Sequence, residues 1–283
     1  MTTKVYKALS IAGSDSGGGA GIQADLKTFQ ELGAYGMTVI TAITAQNTLG
    51  VHGVYPVDID AVGRQLDAIG EDLPPDAVKT GMLFSSDVIR LVAAKTGQYG
   101  WRNLVIDPVM VAKGGSALLR QDAIRTLVKE LIPLALVTTP NIPEAELLTG
   151  MAIRSMSDRE EAAKRIVGMG SRYAVIKGGH DAENGDRVID LVYDGSRFDY
   201  MESDRIDTRH THGTGCTYSA ALAAELAAGK TAPEAIATAK RFIHAAIGHA
   251  LGIGGGHGPT NHFAYRRQRL AGGTEVAFAP AAE

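Results

Sequence analysis

The sequence contains a single cysteine, Cys216, in 283 residues. A lone thiol excludes an intrachain disulfide and any multi-cysteine metal site, so its value lies in packing or in chemistry. Excess charge of either sign is also missing: 28 Lys and Arg stand against 31 Asp and Glu, a formal net charge of −3. Without a strong field there is little to hold a polyanion by counterion release, which makes nucleic acid a poor partner. No stretch is apolar and uncharged for membrane-spanning length, and Met1 to Lys7 carries no long apolar run, so a cytoplasmic protein is expected. Internal repeats, heptads and composition shifts are lacking, and the Walker-type phosphate loop occurs nowhere. With 45% hydrophobic residues the chain can bury one large core. We expect a single domain over 1–263 and a loosely ordered tail over 264–283.

What is present is alternation. Short β-branched runs give way to amphipathic stretches for most of the length, which predicts βαβ units and a mostly parallel sheet. Strands are expected over 8–12, 39–45, 51–57, 77–80, 104–107, 136–139 and 173–177. Helices are expected over 19–32, after an Asp58 cap, and over 86–95, 122–131, 158–169, 214–228 and 233–251. Between 187 and 206 the period shortens and Asp194-Gly195 gives a hairpin signal, so antiparallel pieces should edge the sheet there.

The loops after the strands carry the chemistry. Gly13-Ser14-Asp15-Ser16-Gly17-Gly18-Gly19-Ala20-Gly21 joins the first strand to the first helix, where glycines let backbone approach a ligand and the helix start favours anions. Part of it fits a dinucleotide fingerprint, but the second strand ends in Gln46-Asn47 and not in the acid that motif needs for ribose; a ligand-free tight turn is the other reading. Asp25, one turn into that helix, can accept hydrogen bonds from a ring substituent or be a solvated surface carboxylate. The Gln46 amide can donate and accept toward a heterocycle at once. Asp107 closes one strand and Asn141-Ile142-Pro143-Glu144 follows another; such oxygens suit hydrated Mg²⁺ held with nucleotide phosphates, while Asn141 and Glu144 also read as a helix capping box. Lys177 ends a further strand and reads as a phosphate contact.

Thr211-His212-Gly213-Thr214-Gly215-Cys216-Thr217, directly before an Ala-rich helix, is the most specific segment. Its glycines let successive N–H groups converge and the helix dipole adds positive potential, which makes an anion hole for a transferring phosphoryl group. Cys216 in the first turn is expected to have a lowered pKa and to serve as a base or orienting group; plain packing as a small hydrophobe is the competing reading. A cysteine-nucleophile transferase or hydrolase using His212 as base, and a non-catalytic vitamin-binding protein, stay open as other classes.

Taken in order, Ala12 to Asp15, Gly19 to Asp25, Thr44 to Thr48, Lys79 to Leu83, Asp107 to Met110, Pro140 to Ala145, Lys177 to His180 and His212 to Thr217 resemble the hydroxymethylpyrimidine/phosphomethylpyrimidine kinases of thiamine biosynthesis, over roughly residues 8 to 262. The resemblance implies the ribokinase-like fold, a three-layer α/β/α sandwich with a mostly parallel central sheet. It implies two ATP-dependent steps at one site: phosphorylation of the hydroxymethyl group, then conversion of the monophosphate to the diphosphate. By matching position, Gly13, Asp25, Gln46, Met82 and Val109 would line the pyrimidine pocket. Asp107, Asn141, Glu144 and Lys177 would serve MgATP, with Asp107 and Glu144 toward the metal, partly through water. Gly213, Thr214, Gly215 and Cys216 would form the catalytic anion hole, Cys216 standing where sugar kinases of this fold carry an aspartate base. Lys113-Gly114-Gly115 would belong to a flap, and a homodimer is a family expectation. Pyridoxal kinases sharing the cysteine motif are the nearest neighbouring reading, and Gln46 leans toward pyrimidine. No thiamine-phosphate synthase segment is expected in the chain.

Overall fold

The computed structural model describes residues 4–110, 121–181 and 185–270. The first half runs β1 (Lys7–Asp15), α1 (Gly21–Glu31), β2 (Tyr35–Asn47), β3 (Gly50–Pro56), α2 (Ile59–Asp72), β4 (Ala77–Thr80), α3 (Ser86–Tyr99) and β5 (Leu104–Ile106). The second runs α4 (Gln121–Thr126), β6 (Val137–Thr138), α5 (Ile142–Thr149), α6 (Met156–Gly168), β7 (Tyr173–Ile176), β8 (Arg187–Tyr193), β9 (Phe198–Asp204), α7 (Thr214–Ala227), α8 (Ala232–Gly248) and α9 (Ala264–Leu270). The nine strands form one sheet in the order β3-β2-β1-β4-β5-β6-β7-β8-β9.

β1 pairs in parallel with both β2 and β4, and β4 to β7 continue in parallel. β8 and β9 are antiparallel, as the hairpin signal at Asp194-Gly195 predicts. The strand over 51–57 is not a further parallel member: β3 returns against β2 as a hairpin, because only Thr48 and Leu49 separate them and a parallel crossover needs a dozen residues.

Strand alternation sends side chains to two cores. Leu9, Ile11, Leu104 and Ile106 pack with Val62, Leu66, Ile89 and Ile166 from α2, α3 and α6. Ala8, Val105, Val137 and Val175 face the other way, onto Phe29 of α1 and the alanines of α7 and α8. α7 is buried along nearly its whole length, which its run of small residues permits. This is the three-layer α/β/α sandwich implied by the resemblance. No helix among the described residues is long and apolar enough to cross a membrane.

Of the tail expected to be loose, Ala264–Leu270 is helical, and Tyr265 lies 5.3 Å, centroid to centroid, from Phe242 of α8. Residues 271–283 lie outside the described residues, as does the expected flap at Lys113-Gly114-Gly115.

Candidate active site

The chain leaves β1 for β2 and β3 on one side and returns to β4 on the other, so β1 and β4 flank a switch point, where open sheets of this kind hold ligands beyond the strand ends. Gly13 of β1 and Met82 after β4 meet there: a Cβ on Gly13 would lie 2.5 Å from Met82 Cε. Val109 is half-buried after β5 and lines a small void with Thr80, Gly81 and Asp107. The buried Thr80 hydroxyl on that wall has no hydrogen-bond partner among the described residues.

The glycine-rich turn after β1 gathers its amides on a carboxylate of the chain itself. Asp15 accepts from the N–H groups of Gly17 at 2.8 Å, Gly19 at 3.0 Å and Ala20 at 2.8 Å, and its Oδ2 lies 3.0 Å from His212 Nε2. Burial opposes ionisation, but His212 and these amides together hold the Asp15 carboxyl below its ordinary range. The expectation that this turn offers its amides to a ligand anion is therefore corrected for those three groups.

The turn at the head of α7 leans directly on that loop. Gly213 has φ +78°, and a Cβ there would lie 1.8 Å from the Gly19 carbonyl oxygen. The first intrahelical bond runs from Thr217 N–H to Gly213 O at 2.9 Å, and the Thr214 hydroxyl donates to Thr211 O at 2.7 Å. The first-turn amides of Gly215 and Cys216 precede that bond, and no acceptor among the described residues takes them. Free donors at a helix start are what the anion hole expected of this motif would require.

Beside the start of α7 stands a charge cluster. Lys177 donates to Asp107 Oδ1 at 3.1 Å, and the Ser219 hydroxyl of α7 lies 3.3 Å from Asp107 Oδ2 and closer, at 2.9 Å, to the Gly215 carbonyl. A Cβ on Gly215 would lie 3.3 Å from Asp107 Oδ2 and 3.4 Å from Lys177 Nζ, so glycine lets the start of α7 close onto this pair. The Lys177 segment is pinned from below: Gly178 N–H donates to Asp190, which Lys240 also holds at 2.9 Å. Asn141 and Glu144 form a complete capping box, 2.9 Å and 2.8 Å. Burial pushes the Glu144 carboxyl up to about 7; Lys177 and the Asn141 amide oppose the rise and Asp107 adds to it. Burial alone would lower the Lys177 ammonium, but Asp107 and Glu144 hold it above its ordinary value.

Asp25 differs from the pocket-lining carboxylate expected of it. It is fully buried, takes both of its contacts to Lys79 Nζ at 2.8 and 3.0 Å, and accepts the Ser10 hydroxyl at 2.5 Å. Burial raises the Asp25 carboxyl, with Lys79 and Ser10 opposing; Lys79 is itself held charged against burial by Asp25 and Asp107. Gly81 leaves room for that ammonium, since a Cβ there would lie 2.9 Å from Lys79 Nζ.

Cys216 also differs from expectation. Burial pushes the thiol up to about 11, Asp25 and Asp107 reinforce this, and Lys79 and the Gly21 N–H only moderate it. Helix position lowers a thiol pKa where no carboxylates crowd it, and the half-buried Cys216 has Asp25 and Asp107 beside it. A neutral thiol is therefore the resting state. His212 does not serve it, because its ring faces Asp15 and Gln46.

Gln46 is half-buried, its main chain tied to the Ser16 hydroxyl and its side-chain amide lying between Thr44 and His212. Four residues thus carry more of the site than the sequence reading gave them: Asp15, Lys79, His212 and Ser219. Lys79 had the clearest signal, a charge inside the short, wholly buried Ala77–Thr80 strand.

A family model described as phosphomethylpyrimidine kinase matches residues 15–261. The chain is 55% identical over 266 residues to a hydroxymethylpyrimidine/phosphomethylpyrimidine kinase of Bacillus subtilis, covering 94% of this chain and 98% of that one. It is 54% identical over 254 residues to a thiamine biosynthesis bifunctional protein of Geobacter sulfurreducens, covering 90% of this chain and 51% of that one. Among solved structures, an ADP complex of Bacillus subtilis pyridoxal kinase matches with TM-score 0.87 at 46% identity, over 93% of this chain and 99% of that one. With the family model matching most of its length and a relative 55% identical over 94% of it, the chain belongs to the phosphomethylpyrimidine kinase family.

Proposed function

We propose that this kinase uses ATP to phosphorylate the hydroxymethyl group of 4-amino-5-hydroxymethyl-2-methylpyrimidine and then converts the monophosphate to the diphosphate, as a step of thiamine biosynthesis. The observation that carries the reading is the pair of untaken amides, Gly215 and Cys216, held beside the Asp107–Lys177 pair. A transferring phosphoryl group there meets donors that need no reorganisation, and positioning with charge stabilisation supplies most of the acceleration in this chemistry. Cys216 orients and packs; its neutral thiol makes a poor base, and the same fact argues against a cysteine nucleophile.

Asp107 and Glu144 offer hard oxygens, yet each also acts on Lys177, a donor set that fits Mg²⁺ arriving with the nucleotide and bound largely through water. Bound there, the ion would supply neutralisation of phosphate charge. Asn141 shapes the backbone under it through the capping box. The ring pocket is assigned to Gly13, Gln46, Met82 and Val109 with Asp25 beneath, and the reaction implies the ATP-rich cytoplasm. A homodimer is part of the proposal, supported by the exposed Ile43, Leu49 and Tyr55 on the β2–β3 edge and tested by light scattering of the eluting protein.

The structural likeness to a pyridoxal kinase favours pyridoxal as the second candidate substrate. Incubation with MgATP and either the hydroxymethylpyrimidine, pyridoxal or ribose, following ADP, separates the readings. We expect the highest kcat/KM with the pyrimidine; a preference for pyridoxal would transfer the assignment, and no ADP with any acceptor would end the kinase reading.

A further inference from the structure

The side chains around Gln46 contain a hydrogen-bond contradiction that has one resolution. As placed, Gln46 Nε2 lies 3.3 Å from His212 Nε2, which lies 3.0 Å from Asp15 Oδ2. An imidazole nitrogen cannot accept from an amide N–H and donate to a carboxylate at once. On the other side the single Thr44 hydroxyl proton faces two acceptors, Ser14 O at 2.9 Å and Gln46 Oε1 at 3.0 Å. Exchanging the oxygen and nitrogen of the Gln46 amide removes the clash at His212 and leaves the Thr44 proton to Ser14 O, with the His212 Nε2–H shared between two acceptors as a three-centre bond; heavy-atom positions alone do not distinguish the two ends. His212 Nε2–H then donates to Asp15 and to Gln46 Oε1. Gln46 Nε2 donates to Thr44 Oγ1, whose proton goes to Ser14 O.

We propose that His212 is the positioning residue of the ring pocket: it carries a proton on Nε2, is locked by Asp15, and fixes the Gln46 amide with its oxygen toward α7 and its nitrogen toward β2. The proposal rests on the reading that Gln46 contacts the ring. Each partner comes from a different part of the chain, Asp15 from the first loop, Gln46 from the end of β2 and His212 from the turn before the anion hole. Asp15 itself is immobilised by the Gly17, Gly19 and Ala20 amides, so the proton on His212 has a fixed acceptor before any ligand arrives. The second lone pair of Oε1 and the second N–H of Nε2 remain for a ring edge, in an order that a freely rotating amide would not keep. The same imidazole lies against Gly19, a Cβ on which would sit 2.6 Å from His212 Cδ2, so ring recognition and the phosphoryl-binding turn share one support.

Two measurements test this. Long-range proton–nitrogen correlation spectra of ligand-free protein labelled with ¹⁵N-histidine, assigned by loss of one signal set in His212→Gln, should show His212 Nε2 bearing a proton. An Nδ1–H tautomer with bare Nε2 would overturn the proposal, and this readout is independent of whether the protein turns over any substrate. In kinetics with the hydroxymethylpyrimidine, His212→Leu should raise the KM for the ring about tenfold, the value of one such hydrogen bond, and raise the ratio of ring KM to ATP KM by the same factor. His212→Gln, whose amide can place a donor where Nε2 stands, should recover most of it. Equal effects of Leu and Gln, or a fall in kcat with the ring KM unmoved, would show that His212 only packs.

Discussion

The α-carbon of Gly213 and the carbonyl of Gly19 are so close that a methyl group on the first would sit 1.8 Å from the oxygen of the second. Two turns far apart in the sequence are thereby fitted backbone to backbone, and the head of α7, the proposed anion hole, is held against the loop after β1.

Gly213→Ala forces both this overlap and a left-handed φ of +78° on a residue with a side chain. The backbone strain alone costs about 1–2 kcal/mol, and moving the hole off its partners should cut kcat by about 10²–10³. Gly97→Ala is the control, since nothing lies within 4 Å of its Cβ position in α3; its midpoint in a thermal melt should hold or rise. Equal activity of the two variants would mean the two turns need not touch.

A thiol at about 11 reacts slowly at neutral pH. The rate of Cys216 alkylation by iodoacetamide should keep climbing above pH 9, and a plateau near pH 8 would contradict the burial argument. Cys216→Ala should retain at least about a tenth of kcat with ring affinity little changed. A loss of 10²–10⁴, the size of a general-base contribution, would restore the thiolate role.

Removing one member of the Asp25–Lys79 pair strands the other in the core. Lys79→Met should cost about 3–5 kcal/mol in denaturant unfolding, and adding Asp25→Asn to it should recover part. Asp25→Ala should likewise register first in stability, because its carboxylate has no exposed surface. A single Lys79→Met variant as stable as the parent would show that water reaches the pair.

Glu144 sets a pH trend of definite sign. Its carboxyl is raised from 4.5 to about 7 in the folded protein. Below about pH 4.5 folded and unfolded chains both keep the proton and the stabilisation is whole. Between there and about pH 7 only the unfolded chain releases it, so stability falls as pH rises, by at most about 3 kcal/mol. Glu144→Gln keeps an oxygen for the Asn141 cap and should flatten that slope in unfolding curves taken from pH 5 to 7.5. An unchanged slope would assign the trend to other groups.

Local patterns were readable wherever neighbours in sequence decide the outcome. The β4 run Ala77–Thr80, the β8–β9 hairpin and the Asn141–Glu144 box follow from period, turn residues and capping chemistry. What escaped depends on distant partners. Asp25 and Lys79 are 54 positions apart, Asp15 and His212 are 197 apart, and nothing near either residue announces the other. The first-turn position of Cys216 was visible, but the two carboxylates that keep its proton on come from α1 and the end of β5. The direction of β3 turned on a two-residue connection, and α9 on an apolar contact to α8 that its basic sequence conceals.

Because Asp15 takes the Gly17, Gly19 and Ala20 amides of the opening turn, the head of α7 is left as the proposed phosphate cradle of the two loops. A molecule that must be phosphorylated twice therefore finds one berth for both rounds. The monoester made in the first has to be re-seated, or released and recaptured, before it can act as acceptor, so an intermediate pool should build up ahead of the diphosphate.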